Sequence, residues 1–125
     1  MRVLICGGRD YDNYFEFCVG MKQAYDLHIA PREIEVIIHG GARGADNLAQ
    51  LWADEEGYCC LVFPADWKRL GNAAGPIRNQ EMIDEGKPDL AIAFPGGRGT
   101  ADMVKRARNA GIEVVTVCSI STEAA

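Results

Sequence analysis

Three stretches of the chain set a glycine pair beside an arginine, and each follows an apolar run. They read Cys6-Gly7-Gly8-Arg9-Asp10, then His39-Gly40-Gly41-Ala42-Arg43-Gly44-Ala45-Asp46, then Phe94-Pro95-Gly96-Gly97-Arg98-Gly99-Thr100-Ala101-Asp102. Glycine lets the backbone turn through positive φ and lets a ligand approach bare amides. Where a helix follows, its unpaired N–H groups and positive dipole end face the same spot, which suits a phosphate. Arginine adds a planar, bidentate donor for phosphate oxygens. The candidate phosphate contacts are Gly8 and Arg9 in the first loop, Gly41, Arg43 and Gly44 in the second, and Gly96, Gly97, Arg98, Gly99 and Thr100 in the third. One such loop is explained equally well by tight-turn geometry; three at equivalent places point to a ligand. No Gly-Lys-Ser/Thr ending occurs, and Gly7-Gly8-Arg9-Asp10-Tyr11 is not G-x-G-x-x-G. The familiar phosphate-loop and dinucleotide readings therefore fall.

Two further residue types bear on chemistry. Arg78, in Gly75-Pro76-Ile77-Arg78-Asn79, is either a phosphate clamp or an exposed helical arginine. Asp102 and Asp46 either act on a ligand or serve as acidic first-turn and capping residues. Asp10 reads more simply as a turn residue. Trp67 with Lys68 and Arg69 either covers a base by stacking or belongs to a packed loop with a basic tip.

These residues need a scaffold that brings strand ends together. Arg2–Cys6, Glu35–His39, Cys59–Phe63, Leu90–Phe94 and Glu113–Val117 are short apolar runs of the kind found in parallel strands buried on both faces. Helical segments are expected over Asn13–His28 (Phe15, Cys18 and Val19 inward), Asp46–Glu56 (with Leu48, Leu51 and Trp52), Pro76–Glu85 and Thr100–Ala110. Pro76 fits a first helical position, which puts Arg78 in the first turn; Thr100 fits an N-cap. Strands alternating with helices predict an α/β, Rossmann-like three-layer sandwich with about five parallel strands. The expected order is 3-2-1-4-5, which sets the ends of the first and fourth strands side by side at the switch point. One domain is expected over residues 1–118, with a short tail at 119–125.

Composition narrows the partners. The 125 residues are 48% hydrophobic and 25% charged, enough for a core. Thirteen Lys and Arg against 18 Asp and Glu give a net charge of −5, which argues against DNA binding over a broad basic face. A local arginine pocket stays compatible with it. The five cysteines form no C-x-x-C pair, and His28 and His39 stand apart, so no metal or other cofactor is expected. Four of the thiols lie in or beside apolar runs and are expected as reduced core residues. No stretch approaches the length of a membrane span, and the apolar N-terminus is too short for a secretion signal, so a cytoplasmic protein is expected.

Pro95-Gly96-Gly97-Arg98-Gly99-Thr100 resembles the PGGxGT signature of the LOG-type nucleoside-monophosphate phosphoribohydrolases. Together with the two earlier loops and Gly75-Pro76-Ile77-Arg78-Asn79, it resembles the small YspA-like branch of the wider SLOG superfamily, which also includes the Smf/DprA proteins. The resemblance spans nearly the whole chain. It implies a nucleotide or nucleotide-derived ligand, a homo-oligomer, and in LOG enzymes hydrolysis of an N-glycosidic bond. It assigns Arg78 to the catalytic arginine, with Asn79 in place of the lysine that follows. Met103 stands where LOG enzymes carry a catalytic Glu, with Asp102 one position earlier. Two hypotheses follow: a nucleotide N-glycosidic hydrolase using Arg78 and Asp102, and a non-catalytic nucleotide sensor or scavenger.

Overall fold

The alternation of side chains in the first strand explains the architecture. In β1 (Arg2–Cys6), Val3 and Ile5 face one side of the sheet, while Leu4 and Cys6 face the other. Both faces are apolar, so both must be covered. The computed structural model describes residues 1–118. One face is covered by α1 (Tyr14–Ala24) and α2 (Ala45–Glu56), through Phe17, Met21, Ala49, Trp52 and Ala53. The other is covered by α4 (Ala74–Asp84) and α5 (Arg98–Asn109), through Met82, Ile83, Met103 and Ala107. A four-residue helix, α3 (Trp67–Leu70), and a 3₁₀ turn (Gly71–Ala73) lead into α4.

The remaining strands are β2 (Val36–His39), β3 (Cys60–Val62), β4 (Leu90–Ala93) and β5 (Glu113–Thr116). All pairings are parallel, and the order is β3-β2-β1-β4-β5, as expected from the sequence. Cys6 pairs with Ala93, which brings the loops after β1 and β4 together. The central strands are buried as predicted, whereas β3 and β5 are edge strands and only half-buried. Among the described residues, no helix is long and apolar enough to cross a membrane.

Several local expectations are corrected. Phe15 is 76% exposed, and Phe17 takes the core position, edge-on to Phe94 with ring centroids 4.4 Å apart. The helix starts at Tyr14, capped by Asn13, whose side chain accepts the Glu16 N–H at 3.0 Å. That start fixes which aromatic falls inward. The same helix ends at Ala24 and continues as a π-helical turn, Tyr25–Ile29. In α2, Leu51 is exposed; small alanines and Trp52 make the contact with the sheet. Pro76 is the third residue of α4, not the first, so Arg78 lies in the second turn. Gly97, not Thr100, occupies the N-cap of α5.

The cysteines also divide. Cys6 is buried, while Cys59 and Cys118 are exposed beside edge strands, contrary to the expected core placement. Burial, with the nearby charge of Asp46 adding to it, pushes the Cys6 thiol up to about 12. A thiolate is the reactive form. At pH 8 a thiol reagent is therefore expected to modify Cys59 in the folded protein and Cys6 only after unfolding. Peptide mapping of the labelled protein checks this, and rapid native-state labelling of Cys6 would contradict it.

Candidate functional site

The three glycine loops meet because they are hydrogen-bonded to one another. The Gly8 N–H donates to the Pro95 carbonyl at 2.9 Å, and the Ala45 N–H donates to the Gly8 carbonyl at 3.0 Å. A side chain at Gly8 would sit 3.0 Å from Pro95 O and 3.1 Å from Gly96 Cα. Glycine at this position is therefore a packing requirement between β1 and β4. Gly44 and Gly96 play the same part. Gly44, at φ +78, lies against the Gly8–Arg9 backbone, and Gly96 lies against Thr100 and the Gly8 amide.

Above this junction opens a cavity of about 660 Å³ between the carboxyl ends of β1, β2 and β4 and the helix α4. Of the residues singled out from the sequence, Gly8, Arg9, Asp10, Asp46, Trp67, Arg78, Gly97, Arg98, Gly99, Thr100 and Asp102 line it. Gly41, Arg43, Gly44 and Gly96 do not. Gly41, at φ +68, turns toward Val62 and Pro64. Arg43 points outward and meets Asp10 at 3.4 Å, an exposed pair of little energetic weight. Sequence reasoning missed Gly40, Gly75 and Asn79, which also border the cavity. The GG doublet marked the position of Gly40 but not which glycine faces inward.

At the β4 end, α5 begins without a side-chain cap. Its first amides have no acceptor within their own helix. Gly97, Arg98, Gly99 and Thr100 surround that terminus, and a Cβ at Gly97 would touch nothing within 4 Å. The positive end of a twelve-residue helix thus opens into the cavity.

At the β2 end, Arg78 is locked in place. Its Nη1 donates to the Gly40 carbonyl at 2.6 Å and to the Phe63 carbonyl at 3.4 Å, and its Nε donates to Asn79 Oδ1 at 3.1 Å. A methyl group at Gly40 would sit 2.8 Å from Arg78 Cζ and 3.0 Å from Asp46 Oδ2. Arginine and aspartate therefore converge on the notch that Gly40 leaves. Burial and the neighbouring charge of Arg9 draw the Arg78 pKa down, while Asp46 opposes them. Both guanidinium groups border the same cavity.

The carboxylates differ in their surroundings. Asp46 is 8% exposed, and its Oδ2 accepts the Ala42 N–H at 3.1 Å. Burial raises its pKa, against the lowering effects of the Ala42 amide, His39, Arg78 and the Gly40 amide. Asp102 Oδ2 accepts from Arg106 Nε at 2.8 Å and from Asn79 Nδ2 at 3.0 Å. Partial burial pushes the Asp102 carboxyl up, but Arg106, Asn79 and Lys105 together hold it below the usual range. Met103 beside it is 1% exposed and belongs to the core.

His39 is fully engaged. Its Nδ1 accepts the Gly41 N–H at 3.0 Å, which leaves Nε2 to donate to Gln50 Oε1 at 2.7 Å. It braces the second loop rather than reaching the cavity. Among the described residues, no three His, Cys, Asp or Glu side chains gather as a metal site.

Two comparisons relate the chain to known proteins. Residues 1–70 match the family described as YspA, cpYpsA-related SLOG. The chain is also similar to the Gene 61 protein of Mycobacterium phage D29, 40% identical over 121 residues, covering 91% of this chain and 94% of that protein. The chain is a member of the SLOG superfamily, in its YspA-like branch.

Proposed function

We propose that the chain binds a nucleotide or nucleotide-derived phosphate in the crevice at the ends of β1, β2 and β4. Family membership supports a nucleotide-related role in general terms. The observation that carries the reading is the convergence of Arg9, Arg78 and the uncapped start of α5 on one cavity, in a chain of net charge −5. An anion there takes up the free amides of α5 and is balanced by the arginines that border the cavity.

The test is a substitution at Gly97. Because a Cβ there meets nothing, Gly97→Val is expected to fold normally while filling the space before the α5 amides. Affinity for nucleoside monophosphates, measured by calorimetry, is expected to fall about 10-fold or more, the scale of losing charge-assisted hydrogen bonds. An unchanged affinity in a folded variant places the phosphate elsewhere.

A second reading, hydrolysis of the N-glycosidic bond, is favoured by one observation: the crevice holds a buried carboxylate beside an arginine. In that reaction water attacks the anomeric carbon, the C–N bond breaks, and its electron pair leaves with the base, which takes up a proton. A carboxylate stabilises the positive charge that develops on the sugar. Asp46 fits this role better than Asp102, whose Oδ2 is already shared by Arg106 and Asn79. Without turnover, the same site serves as a nucleotide sensor or scavenger. No cofactor enters either reading, and assembly into a homo-oligomer remains part of the proposal on the strength of the LOG resemblance.

A further inference from the structure

Trp67 is a large aromatic residue with no place in the core. It is 44% exposed, and neither apolar cluster includes it. The other tryptophan, Trp52, is 9% exposed and packs beneath the sheet. Yet Trp67 is held firmly. The helix that carries it is capped by Asp66, whose Oδ1 accepts the Arg69 N–H at 3.2 Å. The indole edge rests against Gly75, where an added Cβ would stand 3.1 Å from the ring. Across one face lies the Arg9 guanidinium, 4.8 Å from the ring centroid. Arg9 has no carboxylate partner among the described residues, so its N–H groups stay available while its Cζ lies over the indole. Both residues line the crevice.

The basic neighbours of Trp67 do not share this arrangement. Arg69 turns back to Asp66, with Nε at 3.1 Å from Oδ2, and Lys68 does not border the cavity. The cation that meets Trp67 comes instead from the first glycine loop, 58 positions earlier in the chain.

We propose that Arg9 and Trp67 form a stacking platform for the heterocyclic base of the ligand, with its phosphate against the start of α5 in the same crevice. This inference rests on the nucleotide-binding reading above and deepens it. A guanidinium and an indole both offer flat, polarisable faces, and base–aromatic stacking tolerates any purine or pyrimidine. The platform therefore selects for the presence of a base rather than for one base.

The experiment compares AMP, GMP, CMP and UMP with ribose 5-phosphate, which has the same sugar phosphate and no base. Calorimetry and tryptophan emission are followed on wild type, Trp67→Phe and Trp67→Ala. Nucleoside monophosphates are expected to change the wild-type emission and ribose 5-phosphate to leave it unaltered. Trp67→Ala is expected to weaken nucleotide binding about 10- to 100-fold without changing the affinity for ribose 5-phosphate. Trp67→Phe keeps a stacking face, so it is expected to restore most of the affinity while the emission change disappears. Equal weakening of both ligand types in Trp67→Ala would reduce Trp67 to a structural role and overturn the platform. Equal wild-type affinity for nucleotide and ribose 5-phosphate would also overturn it, leaving the phosphate site standing. Binding of neither would overturn both readings.

Discussion

Replacing Gly40 by alanine is expected to weaken nucleoside-monophosphate binding about 10- to 100-fold while the fold persists. The new methyl group would stand 2.8 Å from Arg78 Cζ and 3.0 Å from Asp46 Oδ2, and closer still to Arg78 Nη1. The cheapest relief is to expel the guanidinium, because it is the far end of a flexible side chain. Arg78 then leaves the Gly40 and Phe63 carbonyls that aim it, and the crevice loses its fixed cation. Loss of a charge-assisted hydrogen bond of this kind is worth roughly 1.5–3 kcal/mol. Overpacking costs stability as well, about 1–3 kcal/mol. Gly57→Ala provides the control for that cost. Gly57 has φ +82 and open space around its missing Cβ, so alanine there is strained but far from any ligand. It is expected to lower the melting temperature without altering affinity. Calorimetry on both variants separates the two effects. If Gly40→Ala binds as tightly as wild type, Arg78 is not part of the site.

The second large effect is expected at Asp46, and it combines stability with turnover. Burial raises the Asp46 pKa above its ordinary value of 3.8. Its contribution to stability is therefore fully present below that value and is lost as pH rises through the elevated folded pKa. Asn at this position does not titrate, and its carbonyl oxygen can still accept the Ala42 N–H. The melting temperature of Asp46→Asn, measured against wild type, is thus expected to climb as pH increases from about 4. In the hydrolytic reading the same change removes the carboxylate that meets the developing sugar cation, and product release is expected to fall about 100-fold or more. Binding of intact nucleotide should change much less, since that interaction strengthens only as charge develops. Asp102→Asn has the opposite pH signature. Its carboxyl is held low, so its contribution is present above the ordinary value and lost as pH falls through the depressed folded pKa. Chromatography of free base and sugar phosphate, run beside thermal melts across pH, reads both predictions. Full hydrolysis in Asp46→Asn with loss in Asp102→Asn would return the catalytic role to Asp102. Tight binding with no product from wild type would leave a sensor or scavenger.

Much of this architecture is written locally in the sequence. Apolar runs such as Val3–Cys6 and Leu90–Ala93 are short, unbroken and buried on both faces, which commits them to central parallel strands. Gly57 and Gly111, which follow α2 and α5 at φ +82 and φ +77, and the glycine loops depend on backbone conformations that neighbouring residues dictate. So the strand order expected of such a pattern, and the meeting of loops at the switch point, agree with the structure. What one residue does for another far along the chain was set by packing alone. Gly40 and Gly41 are indistinguishable as a doublet. Only the turn toward Val62 and Pro64 decides that Gly41 points away and Gly40 makes room for an arginine 38 positions later. Phe15 and Phe17 are equally apolar, and the helix's starting register, packed on Phe94, decides which is buried. Asp46 and Asp102 are both acidic residues near the start of a helix after a glycine loop, Asp46 in the first turn of α2 and Asp102 in the second turn of α5 rather than the expected first. Burial beneath the crevice raises one, and hydrogen bonds from Asn79 and Arg106 lower the other. Periodicity and turn chemistry act over a few residues, whereas desolvation and side-chain pairing act through space. The scaffold was therefore legible in the sequence, and the roles of the charged groups on it were settled only when the chain closed around them.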